Sequence, residues 1–202
     1  MTLSTDKIMD ETVEILSLAK TRTLDLERVV LRPLTLADLS DYHELTSDDA
    51  ALKYDYPAHK SIEESEEMSV KWHLSIPFGK YGVYHKKDAK IIGSVSIRLG
   101  ENADAYIGYT FNQNYWHQGY ATEAVSALIQ LVFTQTKLSR ILAEVDQENK
   151  ASVSLLKRLG FKFLARKENI KNARGHLIVE DTYLLEKTRN SQSAVKNDKI
   201  SL

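Results

Sequence analysis

Hydrophobic positions along this chain switch between two periods, and the switches divide it into elements. Met9, Val13, Leu16 and Lys20 follow a 4-3-4 spacing, widened by Ile8, Ile15 and Ala19, which predicts an appended helix within residues 1–24. Arg28 to Leu34 then reads as a strand, with Pro33 near its end suiting an edge position. Thr35 is an N-cap for a helix through Asp38, Leu39, Tyr42 and Leu45. The stretch 48–60 is loop-like and aromatic. Ser61, with Glu64 three residues on, has the capping-box spacing for a helix carrying Ile62, Met68 and Trp72 that ends before Pro77.

From there the period changes to two. Lys80 to His85 and Lys90 to Leu99 are predicted strands, and Val95, Ile97 and Leu99 alternate with Ser94, Ser96 and Arg98. Gly93 inside the second suggests a bulge. After a turn at 102–104, Ala105 to Phe111 completes a meander of three antiparallel strands. Ala121, Ala124, Val125, Leu128, Leu131 and Val132 then return to helical spacing. Arg140 to Val145 is a strand, residues 149–159 a short helix stopped by Gly160, and Phe161–Arg166 and Leu177–Glu186 a final strand pair with a polar connection at 167–176. The polar residues 188–202 read as a disordered tail. The order is β-α-α-β-β-β-α-β-α-β-β. It implies one α/β (α+β) domain over residues 25–187, with a mixed, mostly antiparallel twisted sheet and helices on both faces.

Composition narrows the chemistry. Of 202 residues, 43% are hydrophobic and 27% charged, with a formal net charge of −1, so no nucleic-acid or membrane surface is indicated. The absence of cysteine excludes a thiolate nucleophile and a disulfide. The six histidines form no HxxxH or HExxH pair, so no metal is expected. No apolar core of a signal peptide or span-length apolar run is present, and a cytoplasmic protein is expected.

One stretch suggests a ligand. In Asn114–Ala124 a small-residue turn opens directly onto a helix, and such a turn leaves amide N–H groups pointing outward at the positive end of the helix dipole. That suits a phosphate. It is neither a Walker A loop nor a GxGxxG fingerprint, and by itself it is equally a plain strand-to-helix connection in which Gly119 relieves strain. A second motif, Glu148 to Phe161, opens a helix with Asn149 as cap and Ser152 one turn later; alone it is an ordinary cap.

Together these segments resemble the GCN5-related N-acetyltransferase (GNAT) superfamily, and more narrowly its ribosomal-protein N-terminal acetyltransferase branch of the RimJ/RimL kind. The residues that carry the resemblance are Val29–Leu34, Ile91-Ile92-Gly93, Ile107-Gly108-Tyr109, Tyr115-Trp116, Gly119 to Ala124, and Asn149 through Phe161. It covers roughly residues 26 to 187. The resemblance implies acetyl-coenzyme A as cosubstrate, without a metal, and a primary amine as acceptor, with a protein N-terminal α-amine favoured. It places the pyrophosphate on the amides of Gln118, Gly119, Tyr120, Ala121 and Thr122, with His117 beside them. It places the pantetheine arm along Tyr109, Thr110 and Phe111 and against Asn149.

The chain departs from the family pattern in three places. Leu156 stands where many members carry the tyrosine that protonates the leaving thiolate, which leaves Ser152 as the nearest replacement. Tyr106 stands where many carry a glutamate, and Trp116 where glutamine or arginine is common. The general base is therefore open. Asp181, Tyr106, His117 and Glu101 are candidates, and each reads more readily as a structural residue: a sheet-edge charge, a core phenol, a loop imidazole and a solvated turn. Glu123 reads as a carboxylate placed for the helix dipole. The acceptor pocket is expected from the first two helices, the 48–60 loop with Tyr54, Tyr56 and His59, and the 167–176 connection. Alternatives are a polyamine or aminoglycoside acceptor, and a coenzyme A-binding module without turnover. The extra helix makes a homodimer plausible.

Overall fold

The computed structural model describes residues 5–100 and 104–187. Its elements are α1 (Thr5–Lys20), β1 (Leu24–Asp25), β2 (Val29–Arg32), α2 (Leu39–Thr46), α3 (Ile62–Ser69), β3 (Lys80–His85), β4 (Lys90–Leu99), β5 (Asp104–Phe111), α4 (Tyr120–Gln135), β6 (Arg140–Asp146), α5 (Lys150–Arg158), β7 (Lys162–Lys171) and β8 (Leu177–Glu186). The strands form one sheet in the order β1-β2-β3-β4-β5-β6-β8-β7. Every neighbouring pair is antiparallel except β5 and β6. The α/β class and the mostly antiparallel mixed sheet expected from the hydrophobic pattern are what the chain adopts.

Local chemistry explains most boundaries. Thr35 and Asp38 bond reciprocally at the entrance to α2, where Asp38 also takes two bonds from Arg32. Ser61 Oγ accepts the Glu64 N–H, and Glu64 returns a bond to the Lys60 N–H. The Asn149 side chain caps α5 through the Ser152 N–H, and Gly160 ends that helix at φ +88°, a conformation that disfavours a β-carbon. The bulge anticipated at Gly93 falls at the neighbouring Ile92: Val83 pairs with Gly93 and Tyr84 with Ile91.

The larger core lies on the α4 face. Ala124, Val125, Leu128, Leu131 and Val132 of α4 are buried against Val29, Leu31, Val83, Val95, Ile97, Ile107 and Phe111 of the strands. Burial of the valine, leucine, isoleucine and phenylalanine side chains among them contributes roughly 1.5–3 kcal/mol each. Leu18 of α1 joins the same cluster, and Glu14 accepts the Lys137 N–H, so α1 is anchored at the far end of α4. The opposite face holds a smaller cluster, Leu34, Tyr42 and Ile91, under α2. No helix among the described residues is long and apolar enough to cross a membrane.

Two expectations need correction. The connection expected at 167–176 is mostly strand: β7 runs to Lys171, and only Asn172 to His176 turns. β7 is an edge strand exposed almost throughout, so its sequence carries no alternation to read. The short β1 was not anticipated; its two residues pair with Leu31 and Val30. The proposed tail 188–202 and the candidate base Glu101 lie outside the described residues.

Candidate active site

The one parallel pair in the sheet is incomplete. β5 and β6 pair only at Asp104–Tyr106 with Arg140–Leu142, and beyond Tyr106 they diverge. The bonds from Asn112 N–H to Ile92 and from Gly100 N–H to Asp104 set the alternation along β5. Its even-numbered residues bond to β4, so the N–H and C=O of Tyr109 face the gap. A main-chain donor thus points into an opening between two strands, a geometry suited to stabilising a developing oxyanion.

Two hydroxyls sit on the α5 side of that gap. Tyr109 Oη and Ser152 Oγ are 2.7 Å apart, which joins β5 to the first turn of α5. Burial pushes the Tyr109 phenol up to about 12, so it keeps its proton at neutral pH. The Asn149 amide oxygen is committed to the Ser152 N–H, which leaves its NH2 end for a ligand. Asn149, Ser152 and Tyr109 are therefore brought together. The Tyr109–Ser152 link itself was missed, because no pattern in a sequence relates residues 43 positions apart.

The other end of the gap leads to the α4 N-terminus. Trp116 Nε1 donates to the Phe111 carbonyl at 2.8 Å and folds the connecting loop against the end of β5. His117 and Gly119 both adopt positive φ, +60° and +85°. The first helical bond runs from Glu123 N–H to the Gly119 carbonyl. Among the described residues, the N–H groups of Gln118, Gly119, Tyr120, Ala121 and Thr122 have no acceptor. The cluster fits an anion such as a diphosphate.

This loop is fastened by a residue that the sequence did not single out. Arg28 donates its main-chain N–H to Glu123 Oε1 at 2.8 Å, its Nε to Glu123 Oε2 at 2.7 Å and its Nη1 to the Gln118 carbonyl at 2.7 Å. Its guanidinium also lies over the Tyr120 ring, 4.5 Å from the centroid. With the Gln118 carbonyl held inward, the amides that follow face outward. Glu123 is thus the anchor of Arg28 as well as a dipole partner. The Tyr120 hydroxyl is bonded to His85 Nε2 at 2.9 Å and packs rather than projecting to solvent.

The remaining candidates fall elsewhere. The Phe111 side chain is core, packed over Gly93. Thr110 projects from the opposite face to Tyr109 and donates to Asp55 Oδ2 at 3.2 Å. Tyr106 stands where β5 and β6 still pair, with the Arg98 guanidinium over its ring. Asp181 is buried and takes two bonds from Arg166, at 2.7 and 2.9 Å, which hold its carboxyl below the usual range and make it a weak proton acceptor. His117 is exposed in the phosphate-loop region.

A cleft of about 740 Å³ opens at the end of β6. The 49–54 loop, the end of β6 and the β7–β8 hairpin line it, with Tyr54, Asp146, Glu148, Asn169 and Asn172 prominent. The first two helices, expected to contribute, supply none of the lining. His59 is instead buried, its Nδ1 2.9 Å from Ser65 Oγ.

A family model described as an acetyltransferase (GNAT) domain matches residues 28–162. The chain belongs to this family and is an acyltransferase of the GNAT type. An uncharacterized N-acetyltransferase p20 of Bacillus licheniformis is 31% identical over 168 residues, 80% of this chain and 93% of that protein. The [ribosomal protein uS5]-alanine N-acetyltransferase of Escherichia coli is 31% identical over 84 residues, 40% of this chain and 43% of that protein. Among solved structures, a GNAT-family acetyltransferase from Bacillus anthracis superposes with a TM-score of 0.73 at 23% identity, covering 81% of this chain and 98% of that one. A spermidine N-acetyltransferase from Vibrio cholerae, in complex with CoA and spermine, gives 0.67 at 20% identity, covering 79% and 95%.

Proposed function

We propose that the protein transfers an acetyl group from acetyl-coenzyme A to a primary amine by direct attack in a ternary complex, with a protein N-terminal α-amine as the favoured acceptor. The observation that carries the reading is the unpaired stretch of β5 and β6. It has free amides at the α4 N-terminus toward one end and the Tyr109–Ser152 hydroxyl pair on its wall. The Gln118–Thr122 amides would hold the diphosphate. The Tyr109 N–H would bond the thioester oxygen, and the Tyr109–Ser152 pair would give a proton to the departing thiolate. Holding both reactants in one gap supplies orientation, and no enzyme nucleophile is required.

Acid–base chemistry favours the α-amine. An α-amino group titrates near 7.7–8.0 and an alkylamine near 10.4, so at pH 7 roughly one in ten of the former is neutral and about one in 2,500 of the latter. The open cleft, with both polar and apolar lining, accepts the extended start of a peptide. A polyamine is the second reading, favoured by Asp146 and Glu148 in the lining. We assign the chain to the RimJ/RimL-like branch and to the cytoplasm on the same reading. The test is thiol release from acetyl-coenzyme A against N-terminal peptides, polyamines and aminoglycosides. Preference for peptides with a free α-amine is expected. Turnover confined to polyamines would replace that acceptor, and no turnover with any amine would refute the transfer.

A further inference from the structure

Among the acidic groups near the gap, Asp55 is neither paired with a cation nor turned to solvent. Asp55 is half-buried in the loop that crosses the α2 face of the sheet. Among the described residues it forms no ion pair, and its side-chain partner is the Thr110 hydroxyl on β5. Thr110 adjoins Tyr109, whose N–H faces the gap and whose hydroxyl meets Ser152 on the far side. Asp55 and the Tyr109–Ser152 pair therefore approach the same opening from its two faces.

The loop is held by main-chain and guanidinium hydrogen bonds. His59 N–H donates to the Thr46 carbonyl at 2.8 Å, and the Asp55 N–H to the Leu52 carbonyl at 2.9 Å. Arg174, from the tip of the β7–β8 hairpin, reaches across the cleft. Its Nη1 donates to the Leu52 carbonyl at 3.0 Å and to the Tyr56 carbonyl at 3.5 Å, and its Nη2 to the Asp49 carboxylate. Two of these acceptors flank Asp55 in sequence.

We propose that Asp55 is the proton acceptor for the incoming amine and that Arg174 is the positioning residue that holds its loop. This rests on the acetyl-transfer reading above. The Asp55 carboxylate takes one proton from the ammonium. The nitrogen lone pair then forms the C–N bond at the thioester carbonyl, the C–S bond breaks, and the thiolate takes a proton from the Tyr109–Ser152 pair, while the surplus proton on the new amide nitrogen is lost to water, which reprotonates the pair. Asp55 returns its proton to water. Burial pushes the Asp55 carboxyl up to about 6, against a smaller opposing effect of the Thr110 hydroxyl, so it is ionised at neutral pH yet close enough to bind a proton. The groups that face it are Thr110 and Tyr109 from β5 and Tyr56 from its own loop, all uncharged at neutral pH. The Arg174 charge is shared with Asp49.

The experiment measures kcat for the full chain with acetyl-coenzyme A and a reactive amine from pH 5 to 9. Coenzyme A affinity and thermal midpoint serve as controls of folding. Asp55→Asn is expected to lower kcat about 100-fold at pH 7 and to abolish the limb near pH 6. Activity should recover partly at pH 9, where the amine is already neutral, and coenzyme A affinity should stay unchanged. Arg174→Ala is expected to lower kcat about fivefold and raise the amine KM, with partial rescue by Arg174→Lys, as befits a residue acting through another. Wild-type kcat with the limb intact in Asp55→Asn would overturn the assignment while leaving acetyl transfer standing. Absence of turnover by the wild type with every amine would overturn both. Wild-type kinetics in Arg174→Ala would remove its positioning role.

Discussion

The junction of Arg28 with Glu123 gives a prediction whose size follows from the geometry. Glu123 receives two bonds from one residue, a main-chain N–H at 2.8 Å and a guanidinium Nε at 2.7 Å. Charge-assisted bonds in protected sites contribute about 1.5–3 kcal/mol, whereas exposed ion pairs contribute about 0.2–1 kcal/mol. Here Glu123 is 16% exposed and Arg28 40%, so the side-chain coupling should fall between those ranges, at about 1 kcal/mol. Arg28→Ala removes only the guanidinium. Glu123→Ala also orphans the Arg28 main-chain N–H, a further loss of about 1 kcal/mol. The glutamate variant should therefore melt lower than the arginine variant, by roughly 2–4 °C for a chain of this size. Arg28→Ala removes the donor to the Gln118 carbonyl and Glu123→Ala unseats that donor, so coenzyme A affinity should fall about tenfold in each, which is about 1.4 kcal/mol. Calorimetric unfolding and titration with coenzyme A on the two single variants and the double variant complete a mutant cycle. A coupling energy indistinguishable from zero, or unchanged coenzyme A affinity in folded variants, would refute the view that this pair sets the loop.

Further outcomes follow from other sites. Gly119→Glu should abolish coenzyme A binding, because it places a carboxylate among the free amides and a β-carbon at φ +85°; unchanged affinity in a folded variant would relocate the anion site. Ser152→Ala and Tyr109→Phe should each lower kcat with near-normal coenzyme A affinity, and wild-type turnover in both would remove the hydroxyl pair from thiolate protonation. His73, lodged against Tyr42, is pushed down to about 4 by burial, with Lys80 adding to the effect. The unfolded chain binds a proton there below about pH 6.5 and the folded chain only below about 4, so this stability is present above pH 6.5 and lost as the pH falls toward 4. The loss is at most about 3 kcal/mol. Asp55, shifted upward, acts with the opposite sign over an overlapping window. The measurement is therefore the difference in urea midpoint between wild type and His73→Gln from pH 7 to 4, and a flat difference would contradict the shift.

Much of this was legible because local rules decide it. The stripe Ala124–Val132 can bury only one helical face, Ser61 and Asn149 cap where their side-chain oxygens find amides, and Gly119 and Gly160 occupy positive φ. The cofactor-loop segment could be singled out because its chemistry is main-chain and contiguous. What escaped was assembled across the sheet. Arg28 meets Glu123 over 95 positions, and Thr110 meets Asp55 over 55, and no spacing rule joins them. Asp55 also sits in a loop without periodicity, so neither its burial nor its freedom from a cation could be inferred. Asp181 illustrates the converse: a carboxylate near the expected strand looked reactive until Arg166, fifteen residues earlier, proved to be its partner.

The divergence of β5 from β6 has a consequence for how the protein can change. A parallel pair that stops after three residues is a zipper halted part-way, and closing it further would add main-chain bonds and stability. The fold blocks that route: Trp116 occupies the Phe111 carbonyl, and Asn149 turns the chain into α5 just after β6. Selection for heat resistance could be satisfied at the caps, the exposed β7 edge or the surface, but not at these strands, where each added bond would close the opening. Stabilised variants that keep activity should therefore carry their substitutions away from this seam.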